Sequence, residues 1–331
     1  MSSLMTLPRE LRDTICAYVI LDKKNDPPPL DRTFEQMLEG RESFEAPKLR
    51  AWSSPTLIKY RPDNFVATST PLMLVNKQLH AETKSNLGIM RDAYSYEVDI
   101  VVLDEIILIP TWLRVPVLTP HVETVKATFR ISGSYMPGKQ AYQGYPSYKG
   151  FQSSNGAGAA MAWEVYSVLE RFFRVGPLGS VRNSYGRRNI GIKTLDINFE
   201  TPPGIEPWRF VRPRSQRSYF HLDVEGSTLS PDELRYFVDT NIMSMLSLGH
   251  RSDGYGNMFY EHLDEIVIRK DGEECTRYDI ARMFNELEFT NNCWTRSETI
   301  FNNWKRRAVS RRMELGLKVA PREILNDEGP V

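Results

Sequence analysis

The chain has 331 residues, 41% of them hydrophobic, 25% charged and 11% aromatic, which is enough apolar material for a core and excludes disorder throughout. Its length exceeds the roughly 250–300 residues at which single cores stop growing, so one large unit with appendages, or two packed units, is expected. Forty-two basic residues balance 42 acidic ones, so no global field favours nucleic acid or an anionic membrane.

The first predicted element is a helix that opens within ten residues. In Leu7-Pro8-Arg9-Glu10-Leu11-Arg12-Asp13-Thr14-Ile15-Cys16-Ala17-Tyr18-Val19, proline suits the first turn, where its missing N–H would be unpaired anyway. Glu10 suits the positive end of the helix dipole. Leu7, Leu11, Ile15, Tyr18 and Val19 recur at helical spacing as one apolar stripe. A polar insertion follows over about 23–69, in which Pro27-Pro28-Pro29 reads as an extended spacer and 33–38 as a short helix. A second long helix is predicted over 71–87, with Thr70 as N-cap and Leu72, Val75, Leu79, Thr83 and Leu87 on its apolar face.

Two strings in these helices resemble one family. Leu-Pro-x-Glu-Leu-Arg-x-x-Ile, running from Leu7 to Ile15 and followed by Tyr18, resembles the first helix of F-box domains, and most of all the large fungal group of F-box-like proteins. Leu72-Met73-Leu74-Val75-Asn76-Lys77-Gln78-Leu79-His80-Ala81-Glu82-Thr83 resembles that group's second signature, in which a leucine pair precedes Val-Asn-Arg-Gln-Ile-x-Ala-Glu-Thr. Compact F-box domains join the two pieces by a short connection, whereas here the insertion separates them. The resemblance implies a non-catalytic substrate receptor of a ubiquitin ligase, whose first helices dock on a Skp1-type adaptor while the remainder recruits an unknown target protein. Leu7, Pro8, Leu11, Ile15 and Val19 would then lie at or under the adaptor contact. The other reading of the same residues is ordinary core, packed on the helix over 71–87.

Residues 91–315 read as an α/β region. Val98-Asp99-Ile100-Val101-Val102-Leu103 and Ile106-Ile107-Leu108-Ile109 are strands, expected to end at Pro110 and Pro116. A loop over 132–159 carries Gly138, Gly144, Gly150 and Gly156 interleaved with tyrosines, and is either mobile or an aromatic loop that orders on a partner. Strands beginning at Val122, Ile192 and Leu263 share the spacing Leu-x-x-Leu-x-Leu, but their starts are 70 and 71 residues apart, far beyond a leucine-rich repeat. Helices over 159–173 and 231–248 fall between them. That order, with long crossovers, predicts N-terminal F-box-like helices packed on an irregular, mostly parallel sheet with crossover helices. Helices over 276–288 and 297–315 close the region, and 316–331 is expected to fray.

Candidate chemistry is sparse. Gly156-Ala157-Gly158 follows a loop rather than a strand, so it fails as a dinucleotide fingerprint. The histidines include no i, i+4 metal pair and the three cysteines are scattered, so no cofactor or metal is expected and a reducing compartment, cytoplasm or nucleus, is. The N-terminus lacks the apolar run of a signal peptide, and no stretch is long enough to span a membrane. An enzyme of unreadable class is the alternative, with a site near His250 and His262. A third reading rests on Arg209, Arg212, Arg214 and Arg217, interleaved with Trp208, Phe210 and Tyr219 as a candidate anion- or partner-binding cluster. Lys305-Arg306-Arg307 with Arg311-Arg312 is either a nuclear localisation signal or the exposed side of an amphipathic helix. Outside its complex the chain is expected to be a monomer.

Overall fold

The three segments that share the Leu-x-x-Leu-x-Leu spacing become neighbouring strands of one sheet. The computed structural model of the chain describes residues 4–43, 57–62, 67–90, 95–133, 160–177, 189–204, 208–209, 228–249, 254–293, 295 and 297–320. Strands β5 (His121–Ser132), β6 (Gly191–Phe199) and β9 (Leu263–Lys270) run parallel. Their registers stack Val122, Ile192 and Leu263 in one row, Val125, Leu195 and Ile266 in the next, and then Ala127, Ile197 and Ile268. β3 (Ser95–Leu103) joins the parallel set beside β5. Antiparallel edge strands complete six, β4 (Ile107–Arg114) beside β3 and β10 (Glu273–Asp279) beside β9. The fold is α/β with a mixed, mostly parallel sheet.

Helix α5 (Ala160–Val175) lies in the crossover from β5 to β6, and α6 (Pro231–Leu246) and α7 (Asn257–His262) lie in that from β6 to β9. α8 (Ile280–Glu286) and α9 (Glu298–Glu314) follow β10. All five contribute to one core cluster with the inward strand residues, through Phe172, Phe237, Phe259, Phe284 and Trp304 among others. The alternate positions of β5, β6 and β9 are mostly polar (Lys126, Asp196 and Arg269 among them, with Val267 the apolar exception on β9), and ion pairs such as Arg269–Asp196 at 3.0 Å lace that face. Strand alternation of this kind marks a sheet covered by helices on one side. β3 and β4 instead read as continuous apolar runs because their second face is also covered. There the insertion lays Leu57 and α2 (Phe34–Leu38) over Val101, Leu103, Ile107 and Ile109.

The insertion leaves and returns at one place. Lys24 N donates to Leu113 O at 2.8 Å and Thr68 N to Val115 O at 3.0 Å, so both ends are fastened to the end of β4 and just beyond it. Within it β1 (Glu42–Ser43) pairs antiparallel with β2 (Lys59–Tyr60), and the adjoining Ile58 bridges to Leu108 of β4. Helix α1 (Arg9–Leu21) therefore meets α3 (Ser69–Val75) and α4 (Lys77–Ile89) although 22–68 lie between α1 and α3 in sequence. Two short parallel strands, β7 (Trp208–Arg209) and β8 (Thr228–Leu229), make a separate pair.

Four expectations are corrected. The helix over 71–87 is two helices, because Asn76 is extended (φ −163°) and its side chain caps α4 by accepting from Leu79 N at 2.9 Å. An asparagine that bonds the backbone locally starts a helix better than it continues one. Of the five residues placed on the apolar face there, Leu79 and Thr83 are buried, and Val75 is exposed. β4 runs through Pro110 to Arg114, since it is an edge strand of the six-stranded sheet, a position that tolerates proline. The expected helix over 276–288 begins later than expected, because 276–279 belong to β10: Asp271 and Gly272, both at positive φ, turn the chain back so that β10 pairs with β9. Helix starts only at Ile280, after Asp279 accepts from Arg282 N at 2.9 Å. The chain from 316 to 320 is also fastened, Lys318 N donating to Asp264 Oδ1 at 3.0 Å and Ala320 N to Asn285 Oδ1 at 3.2 Å. The glycine- and tyrosine-rich stretch 134–159 lies outside the described residues.

Candidate interaction surface

Helix α1 has two faces with different jobs. Its buried face is Arg12, Cys16 and Ile20, spaced i, i+4, i+8 and turned to α4. Arg12 clasps Glu82 with two hydrogen bonds, Nε to Oε2 at 2.9 Å and Nη2 to Oε1 at 2.5 Å. Its Nη1 also donates to the Leu7 carbonyl, which pins the chain just before the helix. Glu82 accepts again from Gln78 Nε2 at 3.0 Å, and the Arg12 and Gln78 bonds hold its carboxyl down at about 2. Asn86 Nδ2 donates to Asp13 Oδ1 at 3.1 Å, and Thr68 Oγ1 closes the far end by donating to Ile20 O at 2.6 Å. Burial pushes the Cys16 thiol up from its ordinary value.

The apolar stripe read from sequence is the other face. Leu11 is 52% exposed, Ile15 38%, Tyr18 75% and Val19 39%. Pro8, the residue before the first helical position, is exposed as well, and Leu7 is half-buried. Leu74 and Val75 on α3 and Ile89 on α4 are also exposed, so seven of the ten exposed large hydrophobic side chains among the described residues lie on these three helices. The other three, Met243, Ile300 and Met313, are on α6 and α9.

The stripe therefore takes only a part in the internal contact, which falls mainly to Arg12, Cys16 and Ile20. That division was missed in the sequence. The available signal was that Arg12 lies in one family-like string and Glu82 in the other, complementary charges that join the two helices.

The remaining candidates separate. Arg209 lies in β7, whereas Arg212, Arg214 and Arg217 fall outside the described residues. His250 also falls outside them. His262 is buried: its ring stacks on Phe173 at 4.9 Å and its Nδ1 lies 2.8 Å from Ile190 O, an acceptor, so that nitrogen carries the proton. Burial drives its pKa down to about 4, against the opposing bond to Ile190, and the imidazole is a neutral packing group at pH 7. In the basic run of α9, Arg306 and Arg307 are exposed, but Arg312 is fully buried on Asp264 at 2.5 Å. A cavity of about 290 Å³ lies between α4 and the start of β5, lined mainly by apolar parts of Leu87, Tyr96, Val117 and Val122 with Lys84 and His121 beside them. Among the described residues no group of three or more His, Cys, Asp or Glu side chains is placed to hold a metal ion, and no helix is long and apolar enough to cross a membrane.

No family model matches the chain, and neither a curated protein nor a solved structure matches it.

Proposed function

We propose that this chain is a non-catalytic protein-interaction module similar to the fungal F-box-like substrate receptors of ubiquitin ligases, acting in the cytoplasm or nucleus. In that reading the exposed stripe of α1 docks on a Skp1-type adaptor, and the α/β region presents a target protein. One observation supports it above the others: Leu11, Ile15, Tyr18 and Val19 stand exposed on a helix whose internal contact is already made by Arg12, Cys16 and Ile20. The part of an apolar side chain left in water stabilises nothing until a partner covers it. The interruption of the family-like strings does not separate the helices, because the insertion is looped out onto β3 and β4 and its ends are tied together. Leu7 and Pro8 sit at the start of the same face and extend the surface toward the N-terminus.

The test is co-purification of the full chain with a recombinant Skp1-type adaptor, for the native sequence and for Leu11→Asp. The expected result is a stoichiometric complex with the native chain and its loss with Leu11→Asp, while the variant keeps a cooperative thermal transition. Absence of a complex with the native chain, or a complex that Leu11→Asp leaves intact, would overturn the adaptor reading.

A further inference from the structure

Among the described residues most arginines end on carboxylates, as Arg114 does on Glu97, Arg130 on Asp99 and Arg277 on Glu265. Arg32, Arg41 and Arg61 do not; among the described residues none of the three has a carboxylate oxygen within the 4.0 Å of an ion pair. Two of them are set against each other by the fold. The β1–β2 register pairs Glu42 with Tyr60 and Ser43 with Lys59, so Arg41 and Arg61 flank the end of the same antiparallel ladder, and Arg61 is the like charge that acts most strongly on Arg41. Two-residue periodicity puts Lys59 on the same side of β2 as Arg61.

Arg41 is held in this position by neutral partners. Its Nη2 donates to Thr111 Oγ1 at 2.8 Å and its Nη1 to the carbonyls of Pro110 at 3.3 Å and Lys59 at 3.4 Å. These bonds fix the guanidinium plane without cancelling its charge, and among the described residues the Nε–H finds no acceptor. Burial first, then repulsion from Arg61, with Arg32 adding and Asp99 opposing, pulls the Arg41 pKa down to about 10. Asp99 is not free to neutralise it. Both its oxygens are taken by Arg130, from Nε at 2.6 Å and Nη2 at 2.8 Å. Arg32 and Arg61 are exposed and Arg41 half-buried between solvent and strand, so the group opens outward.

We propose that Arg32, Arg41 and Arg61 form a binding site for a phosphate group. A fixed guanidinium fork with spare donors, accompanied by two exposed ones, matches a tetrahedral oxoanion. A phosphate dianion offsets about two of the cations at neutral pH, where a carboxylate offsets only one. Binding also removes the Arg41–Arg61 repulsion, so the site is stabilised by what it holds. This site is independent of the α1 surface and of the adaptor reading.

The experiment follows the arginine Nε–Hε resonances of the ¹⁵N-labelled full chain during titration with inorganic phosphate, O-phosphoserine and acetate at constant ionic strength. The expected result is a saturable shift of the Arg41 resonance with phosphate or phosphoserine and about tenfold weaker binding of acetate. Arg61→Ser, an exposed change that keeps the fold, weakens phosphate binding about tenfold, the loss of one charge-assisted contact. Tighter binding of phosphoserine than of phosphate identifies a phosphate monoester as the source, and the reverse identifies free phosphate. No saturable shift, equal binding of acetate, or undiminished phosphate binding by Arg61→Ser would each overturn the proposal.

Discussion

The division of α1 into two faces is testable with one kind of substitution made twice. Leu11 is 52% exposed, so replacing it by aspartate forfeits only about half of the roughly 2 kcal/mol that a fully buried leucine contributes, about 1 kcal/mol. The new carboxylate stands in water near the positive end of the helix, which returns a few tenths of a kcal/mol. Ile20 has no exposure at all, and its backbone carbonyl is bonded by Thr68. Ile20→Asp loses the whole apolar contribution and buries a carboxylate with no cation assigned to it, a cost of several kcal/mol more. Urea unfolding followed by far-UV circular dichroism, together with hydrogen exchange of α1 and α4 amides, measures both variants. Leu11→Asp should move the midpoint slightly and leave exchange protection intact, while Ile20→Asp should strip protection from α1. If Leu11→Asp is as damaging as Ile20→Asp, the apolar stripe is internal core and the docking surface does not exist.

Three further outcomes follow from buried charge. Arg312→Met leaves Asp264 buried without its cation and should destabilise the protein by about 3–5 kcal/mol in urea unfolding, most of which the double change with Asp264→Leu restores. His262, held near 4 against an ordinary 6.5, contributes full stability above pH 6.5; as pH falls to about 4 the unfolded chain takes a proton that the folded one refuses, and about 3 kcal/mol is lost, a slope that His262→Gln should abolish. Glu82 has its carboxyl lowered from 4.5 to about 2, so the α1–α4 contact keeps its stabilisation above about pH 4.5 and loses it as pH falls toward 2; exchange protection of α1 should show that window, and Glu82→Gln should remove it.

Local pattern was enough for much of the framework. Pro8 and Glu10 mark the start of α1, Thr33 and Gln36 form the capping box of α2, and the repeated Leu-x-x-Leu-x-Leu spacing marks three strands that lie side by side. Each of these depends on neighbours within a few residues, and backbone propensity acts over that range. The errors came where a local pattern had two solutions. The first residues of the helix expected over 276–288 could extend it or pair as strand, and the Asp271-Gly272 turn, which needs two left-handed residues, settles 276–279 as the end of β10 once β9 offers an edge. Asn76 could continue a helix or cap one, and its side-chain bond to Leu79 N makes it a cap.

The candidate surface shows the same limit. Periodicity established that α1 has an apolar stripe, but not which way the stripe faces, because a helix rotated about its axis keeps its period. That orientation is decided by Arg12 and Glu82, 70 residues apart in sequence, whose paired charges can be buried only together and so turn Arg12, Cys16 and Ile20 inward. The approach of Arg41 to Arg61 likewise exists only through the β1–β2 register. By itself the sequence determined most of the elements and their two-faced character; the tertiary structure alone decided which faces meet, because that choice rests on contacts between residues that the chain keeps far apart.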